Sequence, residues 1–225
     1  MNSLVIDNMS FKYSISDKYI FRNINIDFNL NDNKLYKLEG VNGIGKTTFL
    51  KLLAGILKPT SGNIFLKGEN SLTSSFKEKI AYIPTSPNLY PLVNAYDYID
   101  IISELWSIKS INYIQYKKRV INILKKLDLQ DLNLDVNMYS LGMVYKLYFS
   151  LMFARNPKVL LLDEPLTSLD KNSRVIATNL IKNASNKMII IYSSHQDEIL
   201  NELQKKTIDL NKLCKGVFQW KLFIL

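Results

Sequence analysis

Residues 40–47 read Gly-Val-Asn-Gly-Ile-Gly-Lys-Thr, and no other stretch of the chain constrains the fold as tightly. The run satisfies G-x-x-x-x-G-K-[ST], a loop whose backbone N–H groups turn inward to cradle phosphate oxygens. Gly43 and Gly45 allow the tight turn, and the helix expected after it offers an N-terminus that favours the same anion. Lys46 is placed to reach β- and γ-phosphates, and the Thr47 hydroxyl to ligate Mg²⁺. Asn42 within the loop and Thr48 just after it complete the expected nucleotide contacts. Such a loop works only between a strand and a helix, and the flanks agree. Leu35–Leu38 reads as a short strand and Thr47–Leu57 as a helix stopped by Lys58-Pro59.

A second constraint lies far along the chain. Val159–Leu162 is a continuous apolar run followed by Asp163 and Glu164, and Met188–Tyr192 is another such run. Runs of this kind are expected of central parallel strands buried on both faces. Ligands of open parallel sheets bind at the carboxyl ends of strands, so Asp163 and Glu164 should face the phosphate loop. Asp163 would hold Mg²⁺, and Glu164 would orient and deprotonate an attacking water.

The remaining elements fall into place around these two. Leu4–Ile6 and Ile24–Phe28 alternate like half-buried strands, and Ile64–Leu66 and Ile80–Ile83 are further strands. From Asn94, a plausible N-cap, the period becomes helical: Ala95, Tyr98, Ile99, Ile102, Leu105 and Trp106 share one face. A second helix is expected from about Tyr116 to Leu127, with Val120, Ile121, Leu124 and Leu127 on its stripe. The segment Pro87–Arg155 therefore reads as nearly all helix.

Composition narrows the chemistry. The 225 residues, 47% hydrophobic and 22% charged, can bury a real core as one large domain or two small ones. One Cys excludes an internal disulfide framework, and one His excludes a His-rich metal site. The net charge of +9 invites a nucleic-acid reading. All but four of the 29 basic residues are lysines, however, spread through every segment, and a solvated surface is the better expectation. Met1–Ile6 does not resemble a secretory signal. The mostly apolar run Val217–Leu225 is too short to span a bilayer and reads as a buried terminal strand or as a small apolar surface for a partner.

Taken together, these motifs resemble the nucleotide-binding subunit of an ATP-binding-cassette (ABC) transporter, over nearly the whole chain. The resemblance implies an α/β fold: a P-loop NTPase core with a mostly parallel sheet (1–86 and 156–225), N-terminal antiparallel strands, and an inserted helical subdomain (about 87–155). It also implies ATP and Mg²⁺ as ligands, and a head-to-tail dimer, of identical or related chains, that sandwiches ATP. Tyr139-Ser140-Leu141-Gly142-Met143 stands where the family has its signature Leu-Ser-Gly-Gly-Gln, so Ser140 and Gly142 would meet the γ-phosphate. This variant is similar to subunits serving bacteriocin, lantibiotic and drug exporters.

Further site residues follow from the same resemblance. Ser168, Leu169 and Asp170 match the D-loop. His195 matches the switch histidine, and Tyr13, with Phe11 as its competitor, matches the aromatic stacked on adenine. The family's Gln after the strand Ile80–Ile83 is replaced here by Thr85, whose shorter hydroxyl would reach Mg²⁺ through a water. Val144 and Tyr145 also depart from the pattern, which leaves slow hydrolysis or altered coupling open without implying a dead site. The family implies a separate integral-membrane permease as partner and a peripheral position on the cytoplasmic face of the membrane. Nucleic acid is not the expected partner. The alternatives are a soluble ABC-type ATPase in assembly or nucleic-acid processing, and a slow-turnover nucleotide-binding regulator.

Overall fold

Two sheets, rather than one, carry the strands read from the sequence. The structure, a computed structural model, describes residues 3–29, 35–108, 110–194 and 205–214. Strands β1 (Ser3–Phe11) and β2 (Phe21–Asn29) pair antiparallel. Along β2, Ile24, Ile26 and Phe28 are buried while Asn25, Asp27 and Asn29 are exposed, the alternation of a sheet with one covered face. With β4 (Ser61–Leu66) and β5 (Glu69–Asn70) they form a four-stranded sheet in the order β2-β1-β4-β5.

The second sheet is parallel throughout. Its order is β6-β7-β8-β3-β9, from β3 (Leu35–Glu39), β6 (Ile80–Ile83), β7 (Val159–Asp163), β8 (Ile189–Ser193) and β9 (Lys206–Asp209). The apolar runs behave as expected of doubly covered strands. Val159, Leu161, Ile189 and Ile191 pack toward the antiparallel sheet and α1 (Lys46–Leu53), whereas Leu160, Leu162, Ile190 and Tyr192 pack toward the helices on the other side. All eight are fully buried. At roughly 1.5–3 kcal/mol each, their burial outweighs any single polar contact in the molecule.

Helix α1 ends four residues earlier than its apolar period suggests, and Gly55 explains why. The residue adopts φ 67°, its N–H bonds to Leu52 O at 3.0 Å, and Ile56 N–H bonds to Lys51 O at 3.0 Å. This is a left-handed C-terminal cap with paired reverse hydrogen bonds. A Cβ on Gly55 would also stand 2.3 Å from Ser71 O. The glycine, not Lys58-Pro59, stops the helix.

After α2 (Ser74–Glu78) and β6, the chain runs through α3 (Ala95–Leu105), α4 (Ser110–Lys126), a 3₁₀ turn at Val136–Met138 and α5 (Leu141–Phe153) before returning as β7. Asn94 caps α3 as expected, its Oδ1 accepting from the N–H groups of Tyr96 and Asp97. Leu105 departs from expectation: it is 70% exposed. It lies at the edge of the stripe, while Trp106 lies at the centre and stacks under the Arg155 guanidinium, 3.4 Å from the ring centroid. Helix α4 begins six residues before Tyr116; Ile111 and Ile114 in its first turns are exposed, so that stretch shows no core-facing stripe in the sequence. Helices α6 (Lys171–Ala184) and α7 (Leu210–Cys214) complete the order. The run Val217–Leu225 lies outside the described residues.

Replacing Gly55 by Ala should destabilise the protein by about 1–3 kcal/mol, because a side chain there is both left-handed and overlapping. Chemical denaturation checks this; a loss under about 0.5 kcal/mol, the range of neutral surface changes, would show that the cap is not needed.

Candidate functional site

The loop after β3 and the ends of β7 and β8 converge because the sheet order places β8 between β3 and β7. Asp163 and Ser193 are direct partners in the β7–β8 register, and Leu38 pairs with Ser193 in the β3–β8 register. Each apolar run thus delivers its first polar residue to the same edge of the sheet.

Within the loop, Gly45 has φ 111° and immediately precedes α1, with no side chain capping the helix. A Cβ on Gly45 would lie 2.8 Å from Ile20 Cγ2 and 3.1 Å from Phe21 Cζ, so both the backbone and the packing require glycine. The first N–H groups of α1 have no intrahelical acceptor and open toward the loop. The Lys46 ammonium folds back across the turn, donating to Gly40 O at 2.8 Å and Val41 O at 3.5 Å. Asn42 and Gly43 are exposed in the turn.

Asp163 is the centre of the polar network. Only 4% exposed, its carboxylate accepts from three hydroxyls: Thr47 Oγ1 to Oδ2 at 2.7 Å, Tyr82 OH to Oδ2 at 3.3 Å, and Ser193 Oγ to Oδ1 at 2.7 Å. Burial, reinforced by the Asp163 charge, pushes the Tyr82 phenol well above its usual range, so it stays a donor. Thr85 Oγ1 donates to the Asp163 main-chain carbonyl at 3.1 Å. Glu164 has φ 52°, a left-handed conformation costing a non-glycine residue roughly 1–2 kcal/mol. Hydrogen bonds hold it there. Its N–H reaches Ser193 O and Oγ, both at 3.2 Å, and its carbonyl accepts from Thr167 Oγ1 at 3.1 Å.

The structure therefore brings together Lys46, Thr47, Asp163, Glu164 and Thr85. It also brings Tyr13 to Thr48, whose hydroxyls lie 3.0 Å apart, while Phe11 is buried in strand β1 with its ring edge-on to Tyr13 at 5.0 Å between centroids. Ser140 and Gly142 form a separate group. Ser140 is exposed and caps α5 by accepting from Met143 N–H at 3.2 Å, and Gly142 packs against the Ser168 carbonyl. His195 lies outside the described residues.

Two features were not read from the sequence. Ser193 is fully buried and joins Asp163 to Glu164; its signal was the register of two apolar runs that each end in one polar residue. Lys146 of α5 pairs with Asp170 at 3.0 Å, and Asp170 also caps α6 through Ser173. The Ser173 N–H and hydroxyl, then the Lys146 ammonium, hold the Asp170 carboxyl well below the usual carboxylate range.

The oxygen donors of Thr47 and Asp163, 2.7 Å apart, suit a hard divalent cation such as Mg²⁺. Among the described residues no group of three or more His, Cys, Asp or Glu side chains gathers as an all-protein metal cage.

The ABC transporter family model matches residues 24–167, and the chain belongs to that family, as an ATPase domain of the ABC class. It is 29% identical over 88% of its length to the uncharacterized ABC transporter ATP-binding protein YxlF of Bacillus subtilis, of which it spans 64%. It is 31% identical to the lantibiotic transport ATP-binding protein SrtF of Streptococcus pyogenes (89% of this chain, 82% of SrtF). To the cytochrome c biogenesis ATP-binding export protein CcmA of Reclinomonas americana it is 32% identical (88% and 91%). Among solved structures, the dimeric post-hydrolysis state of an ATP-binding cassette bound to ADP and Pi superposes with a TM-score of 0.75 at 22% identity, over 87% of this chain and 89% of that one.

The Asp170 network makes a pH prediction. A carboxyl whose folded pKa is depressed stabilises the fold above its unfolded value, about 3.9, and loses that contribution as pH falls below it. Asp170→Asn should therefore cost about 1 kcal/mol at pH 7, a modest figure because the side chain is 56% exposed. The gap to the unmodified protein should shrink progressively below about pH 4. Thermal melts across pH 3–7 measure it, and a gap independent of pH would rule out the ionic part.

Proposed function

We propose that this chain is the ATP-binding subunit of a transporter whose permease is a separate membrane protein, and that it hydrolyses ATP in a head-to-tail dimer. The observation that carries the reading is the 2.7 Å hydrogen bond from Thr47 to Asp163, which joins the phosphate loop to the carboxylate end of β7. In the proposed site Tyr13 stacks on adenine. The N–H groups of residues 43–48 and the Lys46 ammonium, released from its loop carbonyls, hold the phosphates. Thr47 and Asp163 would hold Mg²⁺, with Thr85 reaching it through a water, and the ion would neutralise phosphate charge.

Glu164 takes a proton from the attacking water, and His195 helps to hold that water against the γ-phosphate. Ser140 and Gly142 act in trans. The exposed N-terminus of α5, capped only by the Ser140 hydroxyl, supports this assignment because its first turn is open to a phosphate from the facing subunit. The segment about 87–155 serves as the helical subdomain on which the permease docks, and 1–86 with 156–225 as the core.

No helix among the described residues is long and apolar enough to cross a membrane, which fits a subunit that acts on a separate spanning partner. The position proposed is peripheral, on the cytoplasmic face of the cell membrane. The likeness to SrtF, a lantibiotic transport protein, supports export of a peptide or small hydrophobic molecule.

Tagged Glu164→Gln tests both halves of the reading. It should still bind ATP, lose turnover by about 100-fold or more, accumulate as an ATP-dependent dimer on gel filtration, and co-purify with a multi-spanning protein from detergent-solubilised membranes. Unchanged turnover would remove Glu164 from its role. Recovery with nucleic acid, or as a soluble particle alone, would contradict the transport assignment.

A further inference from the structure

We infer that Ser193, at the end of β8, is a positioning residue that sets the rotation of the Asp163 carboxylate and ties it to the backbone of Glu164. The inference rests on the ATPase reading above and concerns how that site is held in order.

The geometry is specific. Ser193 is fully buried, and its hydroxyl has one proton to give. That proton goes to Asp163 Oδ1 at 2.7 Å, while the Ser193 oxygen itself accepts the Glu164 N–H at 3.2 Å. Asp163 Oδ1 is thus fixed from the β8 side, and Oδ2 is turned toward Thr47 on the phosphate-loop side. Tyr82 approaches Oδ2 from β6 at 3.3 Å, a longer and weaker contact. A cation would use a lone pair of the Thr47 oxygen, which leaves the Thr47 proton on Oδ2 but lets the cation pull on the carboxylate. Ser193 still holds the other carboxylate oxygen, so Oδ2 keeps its direction.

The link to Glu164 adds a second consequence. Glu164 is strained, and the N–H that anchors it is shared between the Ser193 carbonyl and hydroxyl. One hydroxyl therefore relates the carboxylate that holds the cation to the residue that handles water. It does so from the strand that leads directly into Ser194 and His195. A buried hydroxyl serving only packing would need one partner; this one is engaged as both donor and acceptor by consecutive site residues.

The test separates positioning from stability by measuring nucleotide affinity in two conditions. Binding of a fluorescent ATP analogue (mant-ATP) is titrated in Mg²⁺ and in EDTA for the unmodified protein, Ser193→Ala and Ser193→Thr, with thermal melts of each. The expected result is that Ser193→Ala loses about tenfold of the Mg²⁺-dependent gain in affinity while its EDTA affinity stays unchanged. Ser193→Thr, which keeps the hydroxyl, should recover most of the gain. If Ala proves too small for the site to fold, Ser193→Cys, of nearly the same shape but a weak donor, should show the same selective loss. An unchanged Mg²⁺-to-EDTA ratio in a folded variant, or equal losses in both conditions, would overturn the positioning role. Absence of mant-ATP binding by the unmodified protein would overturn the ATPase reading itself, and this inference with it.

Discussion

A carboxylate that is almost entirely buried must be satisfied by donors, or its desolvation cost would exceed what nearby packing supplies. Asp163 is in that position, and hydroxyls from three different elements meet the demand: Thr47 at the start of α1, Tyr82 on β6 and Ser193 on β8. Each element must arrive in one register for this to work. The apolar strands make the arrival inevitable, because Val159–Leu162 and Ile189–Tyr192 are buried on both faces and cannot slip by one residue without exchanging two cores. Hydrophobic burial sets the register, and the register sets the site.

The same logic organises the rest of the molecule's polar machinery. Lys46 donates to two carbonyls of its own loop and so closes the turn. Asp170 is held by Lys146 and Ser173, so the segment after Glu164 is tied to α5, the helix capped by Ser140. Gly142, close against the Ser168 carbonyl, brings the same two segments into contact a second time. Two groups result: one around Asp163 and the phosphate loop, the other joining the α5 N-terminus to residues 168–170. A head-to-tail dimer would set the second group of one subunit against the first group of the other.

Much of this was legible in the residues. The loop at 40–47, the parallel strands and the Asn94 cap each rest on local chemistry, and local chemistry is readable from a single chain. What was missed depended on non-local facts. Gly55 stops α1 because Ser71 lies beside it, which no local propensity reveals; Pro59 was the louder but later signal. The first turns of α4 carry exposed isoleucines and so lack a period. Ser193 looked like an ordinary strand-end serine until its register with Asp163 was known, and the Lys146–Asp170 pair needed α5 and α6 to be placed first. Thr85 stands out in the sequence for what it replaces, and its bond to the Asp163 carbonyl needed the ends of β6 and β7 to be placed.

If residues 40–48 bind the phosphates of ATP, removal of the Lys46 ammonium should weaken that binding more than any other single change in the loop. Among the described residues this ammonium donates to the loop carbonyls of Gly40 and Val41, so its removal should change the fold little yet deprive a nucleotide of its main cation. Equilibrium binding of MgATP to Lys46→Ala, by calorimetry beside the unmodified protein, should show affinity reduced by about tenfold or more, since a charge-assisted hydrogen bond contributes roughly 1.5–3 kcal/mol. A folded Lys46→Ala protein that binds MgATP as tightly as the unmodified chain would show that this loop does not hold the phosphates.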